Sequence, residues 1–301
     1  MQTEMCSSDE LALFHQYRPL LFSIAYRMLC SVTDAEDMLQ ETFIRWQQAG
    51  KEDIQSPRSF LVTIVSRLCI NHLQSARSQR EEYVGQWLPE PVVTGRGSNP
   101  GELVDIDESL SMAFLVLLER LSPMERAVFL LREVFDYEYS EIASFLHQTE
   151  VNCRQLLRRA RQHVSENRPR FDTSVREQHE LLQRFLAAVE TGDMGGLFTL
   201  LAGDVTLHSD GGGKGIAVPN VVHGSGNVAR GILGSVRKFL PDTLVRRFVS
   251  LNGGAGLINY LDGKPHSALI PVCADGRIQT IYVITNPEKL RHIPPLSGLQ
   301  E

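Results

Sequence analysis

A run of cationic and amide side chains between residues 150 and 161 has the types and spacing needed to bind a nucleic acid. Arginine, asparagine and glutamine can make paired hydrogen bonds to base edges, and arginine also neutralises phosphates. On a helix that begins near Glu150, the first turns would face base edges and the later turns the DNA backbone. The first set comprises Glu150, Val151, Asn152, Arg154 and Gln155, and the second Arg158, Arg159 and Arg161. The alternative is an ordinary basic surface helix.

The residues before this segment have the pattern of a helix-turn-helix. Ser122-Pro123-Met124-Glu125 combines an N-cap, a first-turn proline and a capping-box glutamate, and predicts a helix start. Ser140–Leu146 predicts the next helix. His147-Gln148-Thr149 then predicts a short turn, with Thr149 as the cap of the cationic helix.

Acidic residues near the N-terminus follow one face of another predicted helix. Thr33, with Glu36 three residues later, predicts its capping box. Apolar residues recur along one face, at Ala35, Met38, Leu39, Thr42, Phe43 and Trp46. The opposite face carries Asp34, Asp37, Glu41 and Arg45. That face is either a solvated surface or a docking site. A further helix is predicted to begin at Ser56-Pro57.

Residues 81–109 are a linker by composition, because glycine, proline and acidic residues interrupt every periodic pattern. They nevertheless include the apolar segment Tyr83–Pro91, which contains Trp87. A flexible spacer has little use for a tryptophan, so this segment is predicted to dock on another part of the protein.

Residues 175–292 predict an α+β domain, which precedes a tail over residues 293–301. Helices are predicted over residues 176–191, ending at Gly192, and over Gly224–Phe239. Short β-rich segments predict five strands, over Val205–His208, Leu244–Leu251, Gly256–Tyr260, Ser267–Val272 and Ile278–Ile284. From the residues alone, Gly211–Gly213 is a tight turn after a strand, and the phosphate-binding pattern GxxxxGK[ST] is absent.

Composition excludes several classes of protein. The net charge is −6, so nucleic-acid binding must depend on a local basic surface. The five cysteines form no CxxC pair, which argues against a zinc site or a disulfide framework and favours a reducing cytoplasm. The N-terminal segment does not resemble a signal peptide, and no apolar run is long enough to span a membrane. No metal ion and no cofactor are predicted.

The chain is similar to the sigma factors of the extracytoplasmic-function type. Leu121–Arg126, Phe129–Phe135, Tyr139–Ala143 and Arg158–Arg161 resemble the domain of this family that reads the −35 promoter element. Asp34–Trp46 resembles the family's polymerase-binding helix, and Ser56–Arg80 the part that reads the −10 element. Two positions differ from the common pattern: Leu156, where many members have a basic residue, and His147-Gln148, which replaces a glycine-containing turn.

The resemblance implies two all-α sigma domains, over residues 1–80 and 110–170, the second containing the helix-turn-helix. It implies that core RNA polymerase, through its β′ clamp and β subunits, and promoter DNA are the partners. The acidic face at Asp34, Asp37, Glu41 and Arg45 would contact the clamp. Candidate contacts to the −10 element are Arg58, Arg67, Asn71 and Arg77.

Three more motifs resemble one subgroup, the sigma factors with a C-terminal SnoaL-like (NTF2-like) domain. They are Trp87–Pro91, Asp210–Lys214 and Asn286–Leu290. The resemblance implies a curved sheet with helices around a pocket, and regulation in cis through contacts between this domain and the linker. The candidate regulatory residues are Trp87, Leu88, Pro89, Asp210, Gly211, Gly212, Gly213, Lys214, Asn286, Pro287 and Lys289.

A non-enzymatic regulator of transcription is therefore the leading hypothesis. Two alternatives remain at this stage: a sensor with a small ligand in the C-terminal pocket, and a SnoaL-like enzyme fused to a DNA-binding module. An acid/base pair for the enzyme would come from His208, Asp210, His223, Asp262 and His266. No spacing in the sequence links two of these residues, and a fold does not by itself determine a function.

Overall fold

The computed structural model describes residues 2–50, 54–81, 83–94, 110–165, 173–239, 241 and 243–298, with the backbone alone for residues 2–9, 76–81 and 298. The chain divides into two compact units. The first contains Met1–Gln79, Asn99–Ser109 and Leu115–Arg168, and the second Arg80–Ser98, Leu110–Phe114 and Pro169–Glu301. No helix in the described ranges is both long and apolar enough to cross a lipid bilayer.

Three helices begin the first unit: α1 (Gln2–Leu29), α2 (Val32–Gln48) and α3 (Pro57–Glu81). The predicted start of α3 is confirmed, because Ser56 Oγ accepts a hydrogen bond from Ser59 N at 3.3 Å. α2 is amphipathic as predicted. Its buried stripe comprises Val32, Ala35, Leu39, Thr42 and Trp46.

The predicted cap of α2 at Thr33 is wrong. Ser31 is the N-cap, since its Oγ accepts a hydrogen bond from Asp34 N at 3.2 Å. Because Ser31 already caps the helix, Thr33 lies within the first turn, where it is exposed. Glu36, expected in a capping box, instead accepts a hydrogen bond from Arg18 at 2.7 Å.

Four helices follow: α4 (Met112–Leu118), α5 (Pro123–Glu133), α6 (Tyr139–Leu146) and α7 (Glu150–Ser165). The predicted capping box of Ser122 and Glu125 is confirmed. Thr149 Oγ1 accepts a hydrogen bond from Asn152 N at 3.2 Å, as expected of the cap of α7. The helix-turn-helix prediction is therefore confirmed in α6 and α7.

The two departures from the common helix-turn-helix pattern are accommodated in this structure. His147 has a φ of 52°, so a residue with a side chain occupies the left-handed position that often selects glycine. Leu156 is 6% exposed and lies on the buried stripe of α7. A leucine at this position contributes to the core instead of contacting phosphate.

The second unit contains α8 (Val175–Thr191), α9 (Met194–Leu200) and α10 (Ser225–Phe239). Its strands are β1 (Val93–Thr94), β2 (Leu201–Asp210), β3 (Val222–His223), β4 (Val245–Leu251), β5 (Gly254–Leu261), β6 (Lys264–Ala274) and β7 (Arg277–Ile284). They form one sheet in the order β1-β4-β5-β6-β7-β2-β3. Only the β2–β7 pair is parallel among the pairs described.

The three helices cover one face of this sheet. Leu182 and Phe185 of α8 and Val228 of α10 are buried in one cluster with Leu257 of β5 and Ile281 of β7. The predicted α+β class and the five predicted strands are confirmed. β2 is longer than predicted. α9 was not predicted because Gly195 and Gly196 weaken its helical pattern, although Asp193 caps it by accepting from Gly196 N at 2.9 Å.

Candidate functional site

The exposed face of α2 carries the predicted polymerase-binding residues. Asp37 is exposed, and Glu41 pairs with Arg45 at 2.7 Å with both side chains partly in solvent. Asp34 lies at the N-terminal end of this face, where one carboxylate oxygen is 3.6 Å from His72 Nε2 of α3. The face therefore presents the carboxylates of Asp37 and Glu41 to solvent.

The predicted −10-reading residues on α3 have different surroundings. Arg67 Nε donates to Phe145 O at 2.6 Å, and its Nη2 donates to Ser144 O at 3.2 Å. These carbonyls lie in the last turn of α6, where a cation is favourable. Partial burial lowers the pKa of the Arg67 guanidinium from its ordinary value.

The other −10 candidates are more exposed. The guanidinium of Arg58 lies 5.2 Å from the ring centroid of Tyr137. Asn71 is exposed on α3. The side chain of Arg77 lies outside the described residues, so its predicted role receives no structural account.

A buried arginine joins α5 to α1 within the first unit. Arg126 is 2% exposed, and its Nη1 donates to Met28 O at 2.6 Å and to Glu119 Oε1 at 2.8 Å. Met28 is in the last turn of α1, so Arg126 caps a carbonyl of a helix far away in the sequence. This contact cannot be predicted from the sequence, because a buried arginine in an apolar helix has no distinguishing pattern.

The cationic helix α7 presents its predicted residues to solvent. Arg154 and Gln155 are exposed on the second turn, and Asn152 Nδ2 donates to Gln148 Oε1 at 2.7 Å. Arg154 forms an ion pair with Glu150 at 2.7 Å. In the N-terminal half of α7, the side chains of Asn152 and Arg154 are thus held by contacts with neighbouring polar side chains.

Ion pairs also restrain some of the predicted phosphate contacts. Arg159 is 3.4 Å from Glu125, and Arg161 is 2.7 Å from Glu133. Arg158 is exposed, and the described residues include no partner for it. The guanidinium groups of all three remain accessible to an anion.

A buried polar cluster in the second unit holds the linker. Asp210 is 0% exposed and forms an ion pair with Lys289 at 2.7 Å. Its carboxylate also accepts hydrogen bonds from Tyr83 Oη at 2.6 Å and from Leu88 N at 2.8 Å. Lys289 Nζ donates to Leu88 O and lies 3.9 Å from the ring centroid of Trp87. We call these five residues the linker clamp.

Residues of the predicted motifs complete the surroundings of the clamp. Asn286 Nδ2 donates to Tyr83 Oη at 2.9 Å, and Gly212 N donates to Asp210 Oδ1 at 3.0 Å. Gly212 has a φ of 55°, and a Cβ at this position would lie 2.3 Å from Asn286 Nδ2. Burial, and then the hydrogen bond to Asp210, raise the pKa of the Tyr83 phenol.

Not every predicted regulatory residue contacts the linker through the clamp. Lys214 pairs with Glu288 at 2.6 Å on the surface, and Pro287 is exposed. This ion pair lowers the pKa of Glu288. Gly213 approaches the linker separately, because a Cβ there would lie 3.4 Å from the Cβ of Val84. Pro89 is buried.

The linker also adds a strand to the sheet, which sequence analysis did not predict. β1 pairs with β4, with Val93 opposite Leu251 and Thr94 opposite Ser250. Before it, Val92 N donates to Asn252 Oδ1 at 3.1 Å, and Asn252 N donates back to Val92 O at 2.9 Å. The linker is thus held at two places, the clamp and the edge of the sheet.

Comparisons with known proteins identify the family of the helical part of the chain. The family models Sigma-70 region 2 and Sigma-70, region 4 match residues 13–79 and 111–164. The chain is 36% identical to the ECF RNA polymerase sigma factor SigJ of Mycobacterium tuberculosis (strain H37Rv), over 95% of this chain and 94% of that protein. The chain belongs to the extracytoplasmic-function sigma factors. As in that family, the helices α2 and α3 lie in region 2 and α5–α7 in region 4.

Two further comparisons extend the similarity to the C-terminal part of this sigma factor. A probable ECF sigma factor SigI of Mycobacterium tuberculosis (strain CDC 1551) is 30% identical over 93% of this chain and 94% of its own length. The crystal structure of Mycobacterium tuberculosis SigJ matches with a TM-score of 0.77 at 34% identity, and covers 95% of this chain and 99% of that chain. The C-terminal α+β domain is therefore shared with a solved sigma factor.

The acid and base residues considered for an enzyme are dispersed in this sigma factor. His208 Nδ1 lies 3.0 Å from Gln86 Oε1 of the linker, while Asp210 is part of the clamp. His223 is exposed on the edge strand β3, and Asp262 is exposed in the turn after β5. His266 is partly buried on β6.

No group of potential metal ligands occurs among the described residues. A surface cavity of about 360 Å³ in the second unit contains none of the five acid or base residues. It is lined by Thr173, Glu177, Glu180, Leu181, Arg184, Asp275 and Gly276. None of these residues is a candidate site residue from the sequence.

Proposed function

We propose that this sigma factor directs core RNA polymerase to specific promoters and that its C-terminal domain restrains it by holding the linker. In this proposal the exposed face of α2 binds the β′ clamp of the polymerase. Arg58, Arg67, Asn71 and Arg77 serve the −10 element, and α7 reads the −35 element. The linker clamp of the C-terminal domain then competes with polymerase for the linker.

The observation that carries the regulatory part is the buried pair of Asp210 and Lys289. Both residues belong to the C-terminal domain, so they remain next to each other when the linker leaves. The linker supplies the groups that complete their hydrogen bonding, the Tyr83 hydroxyl and the backbone N and O of Leu88. A charged pair preorganised to receive a backbone segment is a binding site for that segment.

The energy required for regulation is modest. A coupling free energy of about 1–3 kcal/mol changes occupancy about 5–150-fold. Releasing the linker exposes the clamp to water, so much of the cost of lost hydrogen bonds is regained by hydration. The ring of Trp87 against the Lys289 ammonium adds a cation–π contact of about 2 kcal/mol when it is desolvated. The linker clamp can therefore supply a coupling in the necessary range.

Contacts within the first unit support a closed state of the promoter-reading helices. Arg67, proposed for the −10 element, donates both of its described hydrogen bonds to carbonyls of α6. The −10 and −35 elements are separated by roughly 25 base pairs, on the order of 80 Å of duplex. Region 2 and region 4 must give up their mutual contacts to reach both elements, and Arg67 would then become available.

Catalysis is not part of the proposed function. His208 and Asp210 contact the linker, whereas His223 and Asp262 lie exposed on an edge strand and in a turn. An acid/base mechanism needs two such groups around one substrate. The arrangement of these four residues favours a binding role for the C-terminal domain.

Run-off transcription with core polymerase tests the proposal. We expect the full chain to initiate at its own promoter, and Lys289→Met to initiate several-fold more because the linker is released. Lys214→Met is the matched control, since it removes a lysine of the neighbouring motif that pairs with Glu288 on the surface. Promoter-specific transcription that Lys289→Met leaves unchanged would contradict the regulatory part alone. Failure of every variant to initiate would contradict the sigma-factor assignment.

A further inference from the structure

Tyr139 of α6 contacts side chains of both α5 and α7 in region 4. It is the first residue of α6 and is partly buried. The capping residues of α6 fix its backbone, because Glu138 N donates to Glu141 Oε2 at 2.9 Å. Its ring lies next to arginines of both α5 and α7.

Two guanidinium groups lie over this ring. The carbon Cζ of Arg132, from α5, is 5.2 Å from the ring centroid, and that of Arg154, from α7, is 4.8 Å away. Arg132 has anchors of its own, since its Nη1 donates to Tyr137 O at 2.9 Å and to Glu138 Oε1 at 3.1 Å. Within the part of the chain that the structure describes, Arg154 has fewer restraints: the ring and the ion pair with Glu150 at 2.7 Å.

Restraint matters for Arg154 because its side chain is 53% exposed. A free arginine at such a position samples many rotamers, and ordering it on DNA costs conformational entropy. The ring holds the guanidinium in place before DNA arrives, through an attraction that depends on the aromatic face. Glu150 uses part of the five-donor fork, and the remaining N–H groups stay available to a base.

We infer that Tyr139 is a positioning residue that holds Arg154 ready to read a base in the −35 element. The inference rests on the proposed DNA-reading role of α7. The aromatic ring holds the guanidinium of Arg154, and the phenolic hydroxyl takes no part in this contact. The rival explanation is that Tyr139 contacts a DNA phosphate directly through that hydroxyl.

Sequence selection on randomised −35 elements, with holoenzyme made from the full chain, separates these explanations. Arg154→Ala identifies the base pair that Arg154 reads, where we expect discrimination to fall by about 5- to 150-fold. Tyr139→Leu should lower discrimination at the same base pair by about two- to five-fold. Tyr139→Phe keeps the ring and should leave discrimination unchanged. Tyr139→Leu combined with Arg154→Ala should lose no more than Arg154→Ala alone.

Three results would each overturn the inference. Equal weakening of all sequences by Tyr139→Phe and Tyr139→Leu would indicate a phosphate contact. A further loss in the double variant would show that Tyr139 acts independently of Arg154. If Arg154→Ala leaves every preference intact, the proposed reading by α7 fails as well, so the two failures are distinguishable. Unchanged −10 preference and unchanged thermal unfolding in Tyr139→Leu verify that the fold is intact.

Discussion

The exposed face of α2 and the linker clamp are both built from charged side chains, but they differ in how those charges are satisfied. In the clamp, Asp210 is fully buried, and its carboxylate accepts hydrogen bonds from a lysine, a tyrosine and two backbone amides. On α2, Asp37 is exposed and Glu41 pairs with the neighbouring Arg45, one turn away and partly in solvent. Buried charge that the chain satisfies itself indicates an internal contact, whereas exposed charge that is mainly of one sign indicates a surface for a partner.

The largest expected effect comes from breaking the buried pair. Lys289→Met leaves the Asp210 carboxylate without its cation, which should lower the free energy of unfolding of the C-terminal domain by about 3–5 kcal/mol. Lys214→Met breaks a surface pair and should cost about 0–1 kcal/mol. Denaturant unfolding followed by fluorescence measures both.

The double variant Asp210→Asn with Lys289→Met sharpens this test. It removes both charges, so it should be less destabilising than Lys289→Met alone. Similar effects of Lys289→Met and Lys214→Met would mean that burial does not distinguish the two lysines, and the contrast between internal contact and surface would be wrong.

The exposed face of α2 should respond differently. Asp37→Lys with Glu41→Lys should leave thermal unfolding nearly unchanged, because neither side chain is buried. Affinity for core polymerase should fall by roughly 1–2 kcal/mol, or about 5- to 30-fold, at low salt, since two attractive charges become repulsive. High salt should reduce the difference.

Glu180 provides a matched control for this surface. It is an exposed glutamate of α8 that pairs with Arg176 at 3.0 Å, four residues away, much as Glu41 pairs with Arg45. Glu180→Lys should not alter polymerase affinity. Equal losses for Glu180→Lys and the α2 variant would point to net charge as the cause and would remove α2 as the docking surface.

The cationic turns of α7 should give a smaller and sequence-independent effect. Arg158→Ala should weaken promoter binding equally for all −35 sequences and reduce the salt slope by about 0.9 if one phosphate contact is lost. Arg159 has to leave Glu125, 3.4 Å away, before it contacts phosphate, so Arg159→Ala should cost less. Promoter affinity measured over a range of salt concentrations tests this order. A change in base preference by either variant would contradict the assigned role.

Local chemistry explains which features the sequence could predict. The starts of α3, α5 and α7 follow from capping residues next to the helix that they cap. The cap of α2 was misassigned because Ser31 and Thr33 are both good caps, and only the backbone decides between them. β1 has two residues, and its hydrogen bonds go to β4, more than 150 residues away in the chain. No local pattern could indicate it.

The clamp shows the same limit within a site. The sequence motifs predict a regulatory role for both Lys214 and Lys289. Each lysine lies next to a glycine- or proline-containing turn. The fold buries one against Asp210 and leaves the other with Glu288 in solvent. Residue type cannot distinguish them, because the difference arises from the packing of the linker, which is a tertiary feature.

The smallest expected effect concerns pH and Tyr83. Burial and the hydrogen bond to Asp210 raise its pKa above the ordinary value of about 10. A raised pKa in the docked state means that the stabilisation is fully present below about pH 10 and is lost as the pH rises through the docked-state value. Ionised Tyr83 cannot donate to Asp210 and would place a second negative charge beside it. The linker should therefore detach at high pH.

Trp87 offers a direct measurement of this release. The chain has two tryptophans, so Trp46→Phe leaves Trp87 as the reporter, 3.9 Å from the Lys289 ammonium in the docked state. Every variant keeps Lys289, so the difference between variants isolates Tyr83. Tyr83→Phe should weaken docking and shift the alkaline transition. Tyr260→Phe is the control, because Tyr260 has a pKa raised to about 12 by burial and donates to Pro294 O at 3.1 Å, outside the clamp. Identical alkaline transitions in the three proteins would show that Tyr83 does not control the linker.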